Sequence, residues 1–145
     1  MGFHFSLDTV LRFRESVEQR EELALKQLQM EISSVRLAIE QTTSDIERAQ
    51  KAREAAMQKA MPAGHLQAML SEAEAAVERK KRLAVTLREL EQKRAEQMKA
   101  YQSAHRKRRM LSDMESRQQE AHEQEQSRTQ QKQLDDLFGS RHQRG

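Results

Sequence analysis

The residues able to do acid–base, nucleophilic or metal chemistry are few and scattered in this sequence. No two of its five histidines are three or four residues apart, the spacing that shares a helix face, and cysteine is absent. The sequence also lacks a His-Glu-x-x-His zinc motif, a Gly-rich phosphate loop and a Gly-x-Ser-x-Gly nucleophile turn. We therefore expect no catalytic residue, no cofactor-binding residue and no metal ligand, and we predict that the protein is not an enzyme. The histidines are His4, His65, His105, His122 and His142.

Two runs of four basic residues, 79–82 and 106–109, could bind an anionic partner such as a nucleic acid or a lipid headgroup. Four consecutive helical residues turn through about 300°, however, so each run is spread around the helix. Beyond the first half of the chain only Tyr101 and Phe138 are aromatic, which is too few for a surface that stacks bases. A solvated helix surface is the favoured interpretation, and no nucleic-acid partner is expected.

The composition indicates which elements must carry these side chains. Charged residues make up 34% of the 145 residues and hydrophobic residues 36%, with four Gly and one Pro. So few turn-forming residues exclude a sheet with regular turns, and the composition is typical of long polar helices. No apolar run is long enough for a transmembrane helix, and the first residues do not resemble a secretory signal.

The segment around Pro62 and Gly64 is the one strong interruption in the helical pattern. The sequence therefore predicts a single domain with helix 1 over about 7–60, a turn over about 61–65 and helix 2 over about 66–137. Two helices joined by so short a turn must run antiparallel. The predicted fold class is all-α, a long two-helix antiparallel coiled-coil hairpin with a C-terminal helical overhang.

Apolar and small residues recur at alternating spacings of four and three in both halves, the pattern of a coiled-coil seam. A turn near residue 63 makes the numbers of facing residues add up to about 126. This register places Glu18 beside Arg108, and Val35 beside Leu90 or Glu91. Lys80 and Arg108 fall on the seam itself. The seam residues in helix 1 are Leu28, Ile32, Val35, Ile39, Thr42, Ile46, Ala49 and Ala56, and those in helix 2 include Met69, Ala73, Ala76, Leu83, Leu87, Leu90, Tyr101, Ala104 and Leu111.

The last part of the chain has no partner in this register. Helix 1 starts near residue 7, so its partner ends near residue 119, and the apolar stripe disappears at about the same place. We expect residues 120–145 to form an unpaired tail, either a lone polar helix or a disordered segment. Gly139 is predicted to stop the helix. The apolar residues Leu134, Leu137 and Phe138 then form either a docking site for a partner or a locally collapsed end.

The first fifteen residues carry a pattern that resembles the start of one protein family. The pattern Phe3-x-Phe5-x-Leu7-x-x-Val10-Leu11-x-x-Arg14-Glu15 resembles the N-terminus of the flagellar export protein FliJ family. The central hairpin, the basic run before the last third and the polar tail ending in Leu134-Asp135-Asp136-Leu137-Phe138 are also similar to that family, so the resemblance covers essentially the whole chain.

The resemblance implies a non-enzymatic component of the flagellar type III export apparatus, needed for flagellum assembly, motility and chemotaxis. Such a protein is a stalk-like coiled coil in the hexameric export ATPase FliI that promotes ring assembly and hydrolysis. It also links the ATPase to the export gate FlhA and to export chaperones. Localisation is expected in the cytoplasm, peripheral on the inner face of the cell membrane through protein partners. The segments matching the ATPase-binding tip are Phe3, Phe5, Leu7, Leu134, Leu137 and Phe138.

Two other functions are compatible with a polar helical hairpin. One is a generic spacer that self-associates through its seams, and another is the stalk of a non-flagellar type III secretion system, which shares the architecture. Binding of nucleic acid or a membrane surface by the basic runs is a further, less favoured alternative.

Overall fold

Two long α-helices make up nearly all of the computed structural model, which describes residues 2–144 and the side chains of residues 2–140. Helix α1 runs over Asp8–Met57 and helix α2 over Ala63–Arg144. No strand occurs between residues 2 and 144. The predicted all-α helical hairpin is confirmed. Of the histidines discussed above, His142 lies outside the described side chains.

The connection between the helices covers residues 58–62, a few residues earlier than the predicted turn. The carbonyl oxygen of Pro62 accepts hydrogen bonds from the amides of His65 at 3.1 Å and Leu66 at 3.3 Å, so Pro62 caps the start of α2. Proline is suited to this place because its missing N–H is not needed before the first helical turn. Gly64 consequently lies inside α2, and it does not adopt a positive φ.

The contacts of the chain group its residues into two units, each containing part of both helices. Residues 1–21 with 101–145 form one unit, and residues 22–100 form the other. We refer to them as the terminal unit and the central unit. Within each unit a segment of α1 packs against a segment of α2.

The central unit is held by a narrow line of buried side chains. Ile32 is 1% exposed, and Leu25 and Leu90 are also buried. Thr42 is the one buried polar residue among the described side chains, and its hydroxyl donates to the carbonyl oxygen of Ala38 over 2.8 Å. Its burial therefore leaves no unsatisfied donor. Every predicted seam position that lies in this unit is buried or half-buried, including Lys80, so the predicted seam is confirmed here.

The terminal unit has fewer buried residues. Phe5, Leu11 and Ala104 are its buried hydrophobic side chains, and Tyr101 and Leu111 are half-buried. Phe5 precedes α1, and its carbonyl oxygen accepts a hydrogen bond from the Asp8 amide at 3.1 Å. The short segment before α1 thus packs as part of the unit.

The predicted register is confirmed in each unit by a contact between charged side chains. Arg108 Nε lies 2.8 Å from Glu18 Oε2 in the terminal unit, and Arg36 Nη2 lies 3.2 Å from Glu91 Oε1 in the central unit. The residue numbers of these pairs add up to 126 and 127. A shift of the register would separate both pairs.

The end of α2 differs from the prediction. Gly139 does not stop the helix, which continues through it to Arg144. A glycine ends a helix when it adopts a left-handed conformation, and Gly139 has no positive φ. From residue 123 to residue 140 every described side chain is exposed. Neither helix contains, within residues 2–144, a stretch apolar and long enough to cross a membrane.

Candidate partner-binding surface

The largest apolar group at the exposed end of α2 is formed by three of the predicted partner-binding residues. Leu134 is 49% exposed, Leu137 60% and Phe138 67%. Their spacings of three and four residues place them on one face of the helix. These three side chains form a small solvent-exposed apolar surface on a segment that is otherwise polar. We call it the C-terminal cluster.

The three predicted residues at the other end of the chain are placed differently. Phe5 is only 4% exposed, while Phe3 and Leu7 are half-buried. The carbonyl of Leu7 also accepts the first hydrogen bond of α1, from the Leu11 amide at 2.9 Å. These side chains stabilise the terminal unit, and most of their surface is used in doing so.

Phe3 makes a specific contact with α2. The ring centroids of Phe3 and His122 are 5.8 Å apart, with the ring planes tilted by 46°. Nε2 of His122 is buried and has no hydrogen-bond partner in the described part of the chain. Among the described side chains of α2, which reach residue 140, His122 is also the last half-buried one, so Phe3 covers the point where the packed part described for this helix ends.

Sequence reasoning did not identify this Phe3–His122 contact, although the signal was present. If the numbers of facing residues add up to about 126, Phe3 faces the residues next to His122. The register describes two paired helices, and Phe3 precedes α1.

The two apolar groups are therefore separated along α2. Leu134 lies twelve residues beyond His122, which is about 18 Å at 1.5 Å per helical residue. The structure brings Leu134, Leu137 and Phe138 together on one face. It places Phe3 against His122, well before that face begins.

A polar cluster lies on the seam of the terminal unit. Glu18 Oε2 accepts a hydrogen bond from Arg108 Nε at 2.8 Å, and His105 Nδ1 lies 3.4 Å from the same oxygen. The ring of Tyr101 stacks on His105, with centroids 5.9 Å apart. The hydrogen bond to Glu18 raises the pKa of the Arg108 guanidinium, an effect that partial desolvation opposes. Arg108 is thus permanently charged, and the cluster fixes the alignment of α1 and α2 within this unit.

The two basic runs do not form continuous basic surfaces. Lys80 and Arg108 are half-buried on the seam, while the other members of each run are exposed. Each run is divided between the seam and the solvent, as the helical geometry predicts. In the part of the chain with described side chains, no three His, Cys, Asp or Glu residues are grouped so that they could hold a metal ion.

Comparison with known protein families gives a match over almost the whole chain. The family model described as flagellar FliJ protein matches residues 3–145. The chain therefore belongs to the flagellar FliJ protein family. It is accordingly a protein associated with flagellar export, and the family implies a location at the export apparatus of the flagellar base. Comparisons with curated proteins and with solved structures give no match.

Proposed function

We propose that this protein is a non-enzymatic stalk of the flagellar type III export ATPase. It inserts into the hexameric ATPase FliI, promotes assembly of the ring and accelerates ATP hydrolysis. It also links the ring to the export gate FlhA and to export chaperones. Its place is the cytoplasmic face of the membrane, which it reaches through these protein partners.

The observation that carries this proposal is the C-terminal cluster. Leu134, Leu137 and Phe138 are exposed, and they lie in a part of α2, residues 123–140, in which every described side chain is exposed. Burying such side chains stabilises a complex by roughly 25 cal/mol per Å² of apolar surface removed from water. A helix that carries its apolar face beyond the packed seam can place that face inside a ring of subunits.

The six proposed ATPase-binding residues then have two kinds of role. The C-terminal cluster makes direct contact with the ATPase, because its side chains are available. Phe5 acts mainly from inside the terminal unit, while Phe3 and Leu7 offer their exposed edges as a separate, smaller contact that lies before the C-terminal cluster along α2. The packed seam of α1 and α2 in the terminal unit supports these residues, because two helices packed at coiled-coil spacing resist bending and sliding.

The proposal is tested by adding the purified protein to the cognate FliI and measuring ATP hydrolysis and co-elution. We expect faster hydrolysis and a shift of FliI toward the hexamer. A chain truncated after His122 is expected to lose this effect while circular dichroism still shows a helical hairpin. An unchanged rate together with no co-elution for the full chain would exclude the stalk function.

The spacer alternative gives a different result in the same preparation. A self-associating spacer forms dimers or larger species at micromolar concentration without FliI, whereas a self-contained hairpin sediments as a monomer. Sedimentation equilibrium of the full chain distinguishes the two.

A further inference from the structure

His105 lies between the two charged groups that align the helices in the terminal unit. Its Nδ1 atom is 3.4 Å from Glu18 Oε2 and also 3.4 Å from Arg108 Nη2. Glu18 and Arg108 are themselves joined by the 2.8 Å hydrogen bond between Nε and Oε2. One ring nitrogen therefore has two possible hydrogen-bond partners of opposite charge.

These two contacts of Nδ1 need different states of the imidazole ring. The guanidinium of Arg108 can only donate, so its contact requires a bare Nδ1 that accepts. The ionised carboxylate of Glu18 can only accept, so its contact requires a proton on Nδ1. The two hydrogen bonds cannot form at the same time, and the position of the ring protons decides which one forms.

The geometry allows the ring to change partner without any movement of the backbone. Both 3.4 Å contacts are longer than the roughly 2.9 Å typical of such hydrogen bonds, so a small shift of the ring shortens one and lengthens the other. Tyr101 stacks on the face of the ring, with the ring planes 28° apart, and this contact tolerates a shift within the ring plane. The side chain of His105 is 38% exposed, so water can supply and remove the proton.

The other charges in this part of the terminal unit have both signs. Glu15 acts on Arg108 through its charge, and Glu21 has the number that the register pairs with His105. Arg106, Lys107 and Arg109 are exposed, so water screens their charges. The titratable and charged groups to be considered are Glu15, Glu18 and Glu21 on α1, and Tyr101, Arg106, Lys107, Arg108 and Arg109 on α2.

The nearest charges therefore decide the partner of the ring. These are Glu18 and Arg108, each with an atom 3.4 Å from Nδ1. The next carboxylate along α1, that of Glu22, lies 3.5 Å from Lys26 within the central unit, so its charge is largely balanced there.

We infer that His105 is a positioning residue that exchanges hydrogen-bond partners when it takes up a proton. The neutral ring carries its proton on Nε2 and accepts at Nδ1 from Arg108, because Oε2 of Glu18 already accepts the shorter bond from Nε. The protonated ring has taken a second proton from water and donates from Nδ1 to Glu18.

The consequence is a register contact that keeps a third group bonded on both sides of the ordinary titration of histidine, near pH 6.5. Protonation adds an attraction to Glu18 and a repulsion from Arg108, and the two oppose each other. The inference does not depend on the proposed ATPase function, because it concerns the seam of the terminal unit and not the C-terminal cluster.

Arg108→Gln removes the repulsion and tests the protonated arrangement. At about pH 8 a neutral His105 cannot replace the lost cation beside Glu18, whereas at about pH 5.5 the protonated ring can. We expect the fall in urea midpoint caused by this substitution to be about half as large at the lower pH as at the higher one.

Glu18→Gln tests the opposite case. At about pH 8 the neutral ring of His105 still accepts from Arg108, whereas at about pH 5.5 two cations face each other without the carboxylate between them. We expect the fall in urea midpoint caused by this substitution to be larger at the lower pH. The two substitutions thus respond to pH in opposite directions.

His105→Gln is the matched control for both measurements. When Arg108→Gln or Glu18→Gln is introduced into this variant, its effect on the urea midpoint should be the same at the two pH values. The other histidines are present in every protein compared, so their own titration cancels. Circular dichroism at both pH values checks that each variant is folded before urea is added.

Nuclear magnetic resonance of the unmodified full chain gives a second test that needs no variant to fold. The ¹⁵N shifts of His105 at about pH 8 should show the neutral ring protonated on Nε2. A ring protonated on Nδ1 at that pH would overturn the inference. So would effects of Arg108→Gln and Glu18→Gln that are independent of pH, that change with pH in the same direction, or that keep their pH dependence in the His105→Gln background.

Discussion

Arg108 on α2 donates a hydrogen bond from Nε to Oε2 of Glu18 on α1 over 2.8 Å, although 90 residues separate them in the sequence. The side chain of Glu18 is 17% exposed and that of Arg108 25%. A pair so well shielded contributes more than a surface ion pair, because water competes less for both groups. It also fixes the register of the terminal unit.

We predict a measurable coupling between Glu18 and Arg108. Glu18→Gln and Arg108→Gln should each lower the free energy of unfolding by about 1–2 kcal/mol, and the double variant should lose less than the sum. Urea denaturation of the four proteins measures this cycle. Additive effects would mean that the two side chains do not stabilise one another.

The pH dependence of this pair follows from the raised pKa of Arg108. A raised folded-state pKa adds stability that is fully present below the unfolded-state pKa and is lost only as the pH rises through the folded-state value. Since both values lie far above neutrality, the contribution of Arg108 should be constant between pH 7.5 and pH 9, a range chosen above the ordinary titration of histidine because His105 Nδ1 lies 3.4 Å from the same Glu18 oxygen. Urea midpoints of Arg108→Gln and the unmodified chain should differ by the same amount throughout that range.

Ile32 is the most deeply buried side chain of the central unit. We predict that Ile32→Ala lowers the free energy of unfolding by about 2–5 kcal/mol, because it removes apolar contacts and leaves a cavity in a narrow seam. Val85→Ala, at a 49% exposed position, is the control and should change stability by less than about 1 kcal/mol. Similar losses for the two variants would contradict the assigned seam.

The contact between Phe3 and His122 gives a spectroscopic prediction. Phe3→Ala should shift the ring resonances of His122, because an aromatic ring at 5.8 Å contributes to its local magnetic environment. It should also lower the free energy of unfolding by about 1 kcal/mol. His4→Ala, at an exposed position, should leave the His122 resonances in place. Unchanged His122 signals in Phe3→Ala would show that the two rings do not meet.

Much of the fold could be predicted from the sequence because a two-helix seam is set by local rules. The spacing of residues such as Ile32 and Leu90 defines a helix face, and Pro62 limits the place where the chain reverses. Together these determine the register, which explains why Glu18 was placed beside Arg108 correctly.

The remaining features depend on tertiary packing, which periodicity does not describe. Glycine often ends a helix, but α2 continues beyond Gly139, which does not adopt a left-handed conformation. Phe5 is predicted from its apolar character to bind a partner, and the structure adds that it is buried in the terminal unit. Neither outcome could be read from residue type alone, because both depend on where neighbouring segments lie.

The central claim is that the C-terminal cluster carries the effect on the export ATPase. The most direct test is the rate of ATP hydrolysis by the cognate FliI in the presence of the double variant Leu137→Gln/Phe138→Gln, compared with the unmodified chain. Met110→Gln is the control, because it removes an equally exposed apolar side chain elsewhere on α2.

We expect the double variant to keep its helix content, because both positions are exposed, and to lose at least tenfold in its ability to stimulate hydrolysis at subsaturating concentration. That loss corresponds to about 1.4 kcal/mol of binding free energy. The Met110→Gln control should stimulate hydrolysis as the unmodified chain does. Full stimulation by the double variant would contradict the assignment of the C-terminal cluster as the ATPase contact.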